Sequence, residues 1–324
     1  MTLEATEFLA AAKTPGSITL SVVVPTRNRR DVLGRLLQSI AAQDRADVEV
    51  IVVDDASERA VTDEALDVMA PASLRPRVRV LRLPTPAGAC AARNAGTAAA
   101  RGRHVLYVDD DVELVGSDLC TQLIDLADAN PDVGVIGLAE LAPDGGWGFN
   151  LGPPGPPLEV ARFHGCGALF RRACFDQVGG YFAPLRYYYE EFEISMRVID
   201  AGWRIVFVPD LQITHFRDPR GRDGRGIMRL IFRNATMTIF ARFPIWTVPA
   251  AVAGQFCRFA YACWCSNSID GWGPFIAGKD VLRMLPVTLR SRRAVRTMSL
   301  LRYKRLARHP IPWIAAAARS VEAP

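Results

Sequence analysis

Residues 18–55 read ITLSVVVPTRNRRDVLGRLLQSIAAQDRADVEVIVVDD. The run Ile18–Pro25 is rich in β-branched residues, the composition of a strand covered on both faces. From Arg30 to Gln43, Val32, Leu33, Leu36, Leu37 and Ile40 recur at helical spacing, with Asp31 near the start. Val48–Val53 is apolar again and ends in Asp54-Asp55. The stretch therefore predicts a β-α-β unit with acids at the end of its second strand.

Outward from this unit the alternation continues. The sequence predicts a helix over 60–69, a strand over 78–83, an Ala-rich helix over 88–100 and a strand over 104–108 that runs into Asp109-Asp110-Asp111. A further helix and strand occupy 117–139. Such alternation specifies an α/β fold with a parallel sheet, whose ligands bind beyond the carboxyl ends of the strands. Three strands end in polar clusters: Pro25-Thr26-Arg27-Asn28, Asp54-Asp55 and Asp109 to Asp111. They are expected to converge on one crevice. Pro143 to Pro157 is too rich in Gly and Pro for regular structure and reads as a loop, either a lid or an inert surface segment. Gly165 to Arg172 is an apolar strand leading into a short helix. A helix over 189–201 carries Glu190, Glu191 and Glu193 in its first turn, where acids suit the helix dipole. The last strand, 204–208, stops at Pro209.

The 324 residues, half apolar and a quarter charged, allow one large domain and an appendage. We divide them into a lead, 1–17, an α/β domain, 18–216, and a basic helical region, 217–324. From Gly221 onward 17 Lys and Arg face 4 Asp and Glu, against 22 and 30 before it. The tail is suited to an anionic partner, a membrane surface or a phosphorylated acceptor; no zinc-finger or RNA-binding motif accompanies the charge, so nucleic acid is not expected. Val281 to Ala318 interleaves basic residues with Leu, Val, Met and Trp and has no acid, as in a helix lying on an anionic bilayer; the alternative is a basic face packed on the α/β domain. Phe243–Cys265 is apolar but interrupted by Gln255 and Arg258, with Pro244 and Pro249 at its start, so it is not expected to span a membrane. Seven scattered cysteines make no disulfide framework, and Cys257, Cys263 and Cys265 lack zinc-site spacing. Met1 to Thr14 has no basic n-region, so no signal peptide is read and a cytoplasmic location is expected, soluble or peripheral on the inner face of the membrane.

Asp109, Asp110 and Asp111 repel one another unless a cation sits among them, and Mg²⁺ or Mn²⁺ sites use one or two carboxylates plus substrate phosphates. Asp54 and the Arg93-Asn94 pair are expected to face the same crevice, and the Gly88 turn to offer N–H groups to a phosphate. Glu190, Glu191 and Glu193 are candidates for a general base or for helix caps. His215 is a candidate late ligand for metal or phosphate, or a structural histidine.

This arrangement resembles the family 2 glycosyltransferases of GT-A fold. The resemblance rests on VVVPTRNR at 22–29, EVIVVDDAS at 49–57, AGACAARNAG at 87–96, YVDDDVEL at 107–114, GALFRR at 167–172, VGGY at 178–181 and YYEEFEISMRVIDAGWRIVFVP at 188–209. It implies a nucleotide-diphospho-sugar transferase domain with Rossmann-like topology and a C-terminal α-helical extension. Pro25, Thr26, Arg27 and Asp54 would hold base and ribose, and Arg93 and Asp110 would contact the nucleotide sugar. Asp109 and Asp111 fall on the Asp-x-Asp motif, with Asp111 the first metal ligand. The family's base is the Asp of a Glu-Asp pair; here that place holds Glu191, a departure that leaves Glu190 as the other candidate. An inverting transfer from a UDP or dTDP sugar to a glycan or lipid-linked acceptor is implied. A member that binds a nucleotide sugar without catalysis is the alternative. No Gly-rich Lys-containing loop or G-x-G-x-x-G follows the first strand, which disfavours nucleotidyltransferases and NAD-dependent oxidoreductases.

Overall fold

Unbroken apolar runs become the centre of a sheet. The computed structural model describes residues 6–8, 17–43, 45–147, 155–217, 224–265 and 273–315. In chain order the elements are β1 (Thr6–Phe8), β2 (Leu20–Thr26), α1 (Leu33–Ala41), β3 (Val48–Asp54), α2 (Asp63–Met69), β4 (Val78–Arg82), α3 (Ala89–Ala99), β5 (His104–Val108), β6 (Val112–Leu114), α4 (Leu119–Ala129) and β7 (Val133–Leu141). They continue with β8 (Leu158–Glu159), β9 (Gly167–Arg171), α5 (Arg172–Val178), α6 (Glu190–Asp200), β10 (Arg204–His215), α7 (Gly224–Arg242), α8 (Val248–Cys265), α9 (Gly273–Arg290), α10 (Thr297–Arg308) and β11 (Ile311–Pro312).

The strands form one sheet in the order β1-β4-β3-β2-β5-β9-β7-β10-β8-β11, with β6 pairing β10. β4, β3, β2 and β5 run parallel, and β9 enters antiparallel between β5 and β7. From β2 the chain winds through β3 to β4 on one side, then returns to place β5 on the other. That reversal opens a crevice between the carboxyl ends of β2 and β5, the usual ligand position in such sheets.

One face of the sheet is covered by α1, α2 and α4 through Leu33, Leu36, Leu66, Leu119 and Leu123. The other is covered by α3, α5 and α6, and also by α7 and α10, whose Met237, Leu300, Tyr303 and Leu306 join the same core. The C-terminal region is thus partly built into the α/β core. Each of these buried apolar side chains contributes about 2 kcal/mol of hydrophobic stabilisation.

Three differences from the sequence reading have local causes. The strand expected to stop at Pro209 continues to His215, because β10 shifts register against β7 between Val208 and Gln212 and so takes Pro209 outside the regular ladder. Thr6–Phe8 and Ile311–Pro312, outside the α/β boundaries read from sequence, pair with β4 and β8. Over its described residues, 281–315, the basic stretch is divided among α9, an irregular segment, α10 and β11, and Leu300, Tyr303 and Leu306 of α10 face the protein core. Residues 148–154 of the expected loop lie outside the described residues, as do the side chains of Cys263 and Cys265; Cys257 is free and exposed. No helix among the described residues is long and apolar enough to cross a membrane.

Candidate active site

The crevice between β2 and β5 is a cleft of about 150 Å³ lined by Pro25, Thr26, Arg27, Arg29, Asp55, Ala89, Asp109, Asp110 and Tyr187. Thr26 Oγ1 donates to Asp110 (2.7 Å), tying the end of β2 to the acidic turn after β5. Arg29 bridges Asp110 (3.1 Å) and Asp111, so a guanidinium partly answers the mutual repulsion of the acids. Burial pushes Asp110 up to about 7 even with Arg29 and the Thr26 hydroxyl opposing it. Asp109 is also raised, mainly by burial.

The extension of β10 gives His215 its place. Antiparallel pairing sets His215 opposite Val112, beside the acidic turn. Its Nε2 meets Asp111 Oδ1 at 3.1 Å and its Nδ1 meets Glu140 Oε1 at 2.8 Å. Burial opposes the imidazolium, but hydrogen bonds to Asp111, Cys166 and Glu140 outweigh it and lift His215 to about 12. Burial likewise opposes ionised Glu140, yet His215 and Arg217 bring it down to about 2. Asp109, Asp111 and His215 offer one ligand atom each within 4.8 Å of one another. Two carboxylate oxygens and one imidazole nitrogen fit Mn²⁺ or Mg²⁺, and Glu140 on the far ring nitrogen is the outer partner that orients a metal-bound histidine.

Of Asp54 and Asp55, read together as a cluster facing the crevice, only Asp55 lines it. Asp54 is fully buried beneath the cleft, where it accepts from Ser57 N (2.8 Å), Val61 N (3.1 Å) and Arg82 Nη1 (2.5 Å). Asp55 lines the cleft instead. Its carboxylate accepts from Ala87 N (2.6 Å) and Gly88 N (2.9 Å), so the anion met by the Gly88 turn is a side chain of the protein itself. Gly88 sits at φ +90°, and a Cβ there would come within 2.8 Å of the Arg186 backbone.

Arg93 lies behind the cleft rather than in it, 1% exposed. It donates to Glu190 Oε1 (2.8 Å), to Asp109 Oδ1 (3.2 Å) and to Gly165 O (3.2 Å), connecting the metal-type cluster to the first turn of α6. Glu190 is buried and held by this contact. Glu191 is half-buried, with no basic group in ion-pair range among the described residues. Burial and the neighbouring Glu190 carboxylate push it up to about 8. Glu193 is buried on α6 between Arg197 and Arg242, and so belongs to the core. Gly165 makes room for the base candidate: a Cβ would fall 2.6 Å from Glu191 Oε1.

The approach to α6 is strained. Arg186, Tyr188 and Tyr189 have φ of 65°, 64° and 71°, unfavourable for side-chain-bearing residues. Asn234 of α7, fully buried, holds this turn: its Nδ2 donates to the carbonyls of Leu185 (3.0 Å), Tyr187 (2.8 Å) and Tyr188 (2.7 Å). Arg29, Tyr187, Glu140 and Asn234 were not singled out from sequence. Arg29 lies within a quoted motif, whereas the others are joined to the site only by long-range contacts.

A cleft at a topological switch with an acidic cluster beside it, on a sheet of this order, is the arrangement of a glycosyltransferase of the GT-A class. Residues 21–179, just under half of the chain, match the family described as glycosyl transferase family 2. It is 38% identical over 110 residues to the succinoglycan biosynthesis protein ExoO of Rhizobium meliloti, covering 34% of this chain and 30% of that protein. The chain spans 27% to 37% of the length of the first curated relatives it matches. Two solved structures share the fold. TarS of S. aureus, in complex with UDP, has 22% identity and a TM-score of 0.52 over 75% of this chain and 72% of that one. The mannosyltransferase PcManGT of Pyrobaculum calidifontis, in complex with GDP-Man and Mn²⁺, has 18% identity and a TM-score of 0.54 over 92% and 88%.

Proposed function

We propose that the protein transfers a sugar, with inversion, from a nucleotide diphosphate donor to an acceptor hydroxyl in the synthesis of a cell-surface glycan. The observation that carries this reading is the cluster of Asp109, Asp111 and His215 after β5, tied through Arg93 to Glu190 and so to the first turn of α6, which also carries Glu191. Pro25, Thr26 and Arg27, with Asp55 below, form the nucleoside end of the cleft. Asp109, Asp111 and His215 would hold Mn²⁺ or Mg²⁺, which neutralises the charge that grows on a departing diphosphate.

The acceptor oxygen attacks the anomeric carbon opposite the diphosphate and gives its proton to Glu191. The bond to the diphosphate oxygen breaks, and its electron pair leaves with the nucleotide. One displacement needs no covalent sugar intermediate. A carboxyl raised by burial is a stronger base than an exposed one once ionised, which suits Glu191 to this role. Glu190 and Arg93 position it. The donor is read as a UDP or dTDP sugar and the acceptor as a glycan or lipid-linked precursor, met in the cytoplasm at the inner face of the membrane. The relative named for succinoglycan biosynthesis supports the glycan class of product.

Calorimetry of UDP and dTDP, with and without Mn²⁺, tests the donor site. We expect metal-dependent binding that Asp111→Ala abolishes and His215→Ala weakens at least about tenfold, the lower end of what loss of even an outer-shell partner of a metal ligand costs. Binding of neither nucleotide under any condition would refute the reading in favour of a non-catalytic member of the family.

A further inference from the structure

The apolar surface of this protein is unevenly distributed. Of 14 large hydrophobic residues left exposed among the described residues, 11 lie between Ile245 and Ile314. Several belong to one strip. Ile245 and Trp246, 69% and 68% exposed, stand at the turn into α8, and along α8 the exposed positions Pro249, Ala250, Ala253, Phe256, Cys257, Ala260 and Tyr261 recur at helical spacing. α9 lies beside α8: Gly278 is 4.0 Å from the Phe256 ring, measured from where its Cβ would be. At the other end Arg292 donates to the carbonyls of Phe240 and Phe243 (2.6 Å for the latter), which places the last turn of α9 next to Ile245 and Trp246. The two helices are therefore antiparallel neighbours. α9 adds exposed Leu282 and Leu289 to the strip and borders it with exposed Lys279, Arg283 and Arg290, followed by Arg293.

The charge on this face is one-sided. Lys279, Arg290 and Arg293 have no acidic partner among the described residues. α8 contains no acid, and the acid on α9, Asp280, is engaged by Arg229 at 2.6 Å. The basic residues around α10 are divided: Arg296 pairs with Asp200 (3.1 Å) and Arg302 with Glu159 (2.5 Å), whereas Arg305 and Arg308 are exposed without an acidic partner among the described residues; Leu300, Tyr303 and Leu306 are buried, and Met298 and Leu301 exposed. The membrane-like pattern read across 281–318 is thus partly turned inward along α10. Most of the outward-facing apolar residues belong to α8, the turn before it, and α9.

We propose that the α8–α9 face, centred on Trp246, Tyr261 and Leu282 and bordered by Lys279, Arg290 and Arg293, docks on the surface of an anionic phospholipid bilayer. Aromatic and aliphatic side chains enter the headgroup boundary, and the guanidinium and ammonium groups meet lipid phosphates. Trp and Tyr suit the boundary because each has an apolar body and a polar edge. Docking also has a geometric use. α8 and α9 pack against α7, whose Asn234 holds the turn that opens α6 two positions before Glu191. The docked face therefore belongs to the helices that support the turn into α6, and a lipid-borne acceptor reaches Glu191 without leaving the membrane surface. Only this last step rests on the proposed transfer reaction.

The test is co-sedimentation of the full chain with vesicles of phosphatidylcholine, alone or with about one-third phosphatidylglycerol, at low and high salt. The expected result is binding to the anionic vesicles alone, weakened by salt. The combined variant Trp246→Ala, Tyr261→Ala and Leu282→Ala should lower the partition coefficient at least about tenfold, and Arg290→Gln with Arg293→Gln should reduce its salt dependence. Circular dichroism and UDP–Mn²⁺ calorimetry check that both variants remain folded and that the cleft is intact. The proposal is overturned by a wild-type chain that stays in the supernatant with every vesicle, or by a triple variant that sediments like the wild type. It is also overturned if the wild type is a dimer that the triple variant converts to monomer, which assigns the face to self-association. Vesicle binding without nucleotide binding would leave the docking inference standing and remove the transfer reading.

Discussion

Replacing Asn234 should reduce turnover far more than it reduces stability. Its Nδ2 has two hydrogens for the carbonyls of Leu185, Tyr187 and Tyr188, all within 3.0 Å. In Asn234→Ala the equivalent of two neutral hydrogen bonds disappears, worth about 1 kcal/mol each. The same contacts hold Arg186, Tyr188 and Tyr189 at positive φ, at a cost of about 1 kcal/mol per residue. Freed of the amide, the turn relaxes and recovers part of that strain, so global stability should fall by only about 1–2 kcal/mol. The first turn of α6 moves with it. A displacement of about 1 Å at Glu191 is enough for roughly a hundredfold loss of kcat. Nucleotide release from donor sugar measures kcat and KM, and thermal melting measures stability. Asn234→Asp should be worse than Asn234→Ala, because it points a second acceptor at three carbonyls. A wild-type kcat in Asn234→Ala, or loss of activity that follows wholesale unfolding, would refute a positioning role.

Three other changes probe the same site and its support. Glu191→Gln should lower kcat at least a thousandfold with nucleotide binding unchanged; in the wild type, kcat/KM should rise with pH and level off above about 8, since the base must be ionised and its carboxyl is raised. A flat profile between pH about 6 and 9 would remove Glu191 from the role. Gly165→Ala places a Cβ 2.6 Å from Glu191 Oε1, so turnover should fall about ten- to a hundredfold with little change in melting temperature. Glu193→Gln breaks buried pairs with Arg197 (2.6 Å) and Arg242 (2.5 Å) and should destabilise the protein by about 3 kcal/mol, read from urea unfolding. The Glu193 carboxyl lies below its ordinary range, so its contribution is full above the unfolded pKa and is lost as pH falls through the folded one; the variant should lose less stability than the wild type on acidification.

The parallel half of the sheet was legible because strands covered on both faces must be apolar without interruption, as VVVP and VIVV are. The ends of strands were less so. Which of Asp54 and Asp55 faces the cleft depends on side-chain parity at the edge of β3 and on the turn after it, where Ala56 takes φ 53°. Asp109, Asp111 and His215 were read as one cluster, but the means of bringing His215 there was not: β6 is three residues long and its pairing with β10 is fixed by long-range contacts. Asn234 has no local signature, because its three acceptors are more than 40 residues away in sequence. The tail illustrates a different ambiguity. A helical apolar stripe says that one face is covered, without saying by what: Leu300, Tyr303 and Leu306 of α10 are covered by the protein core, whereas Phe256 and Tyr261 of α8 are left exposed by it.

The division of labour between Glu190 and Glu191 follows from where the cations are. The two carboxylates are adjacent in sequence at the start of one helix, so propensity and helix dipole treat them nearly alike. Arg93 separates them. It reaches Glu190 at 2.8 Å and Asp109 at 3.2 Å, and with Gly165 O also accepting from Nη2 it is held on that side. Glu191 therefore lies beside an occupied carboxylate, in a buried site, without a cation of its own, and each of these conditions raises its pKa. The glycine opposite it supplies the space. An aspartate at this position would be one methylene shorter, so the longer Glu191 side chain and the missing side chain at Gly165 form a matched pair: the extra length is accommodated where a Cβ would otherwise stand.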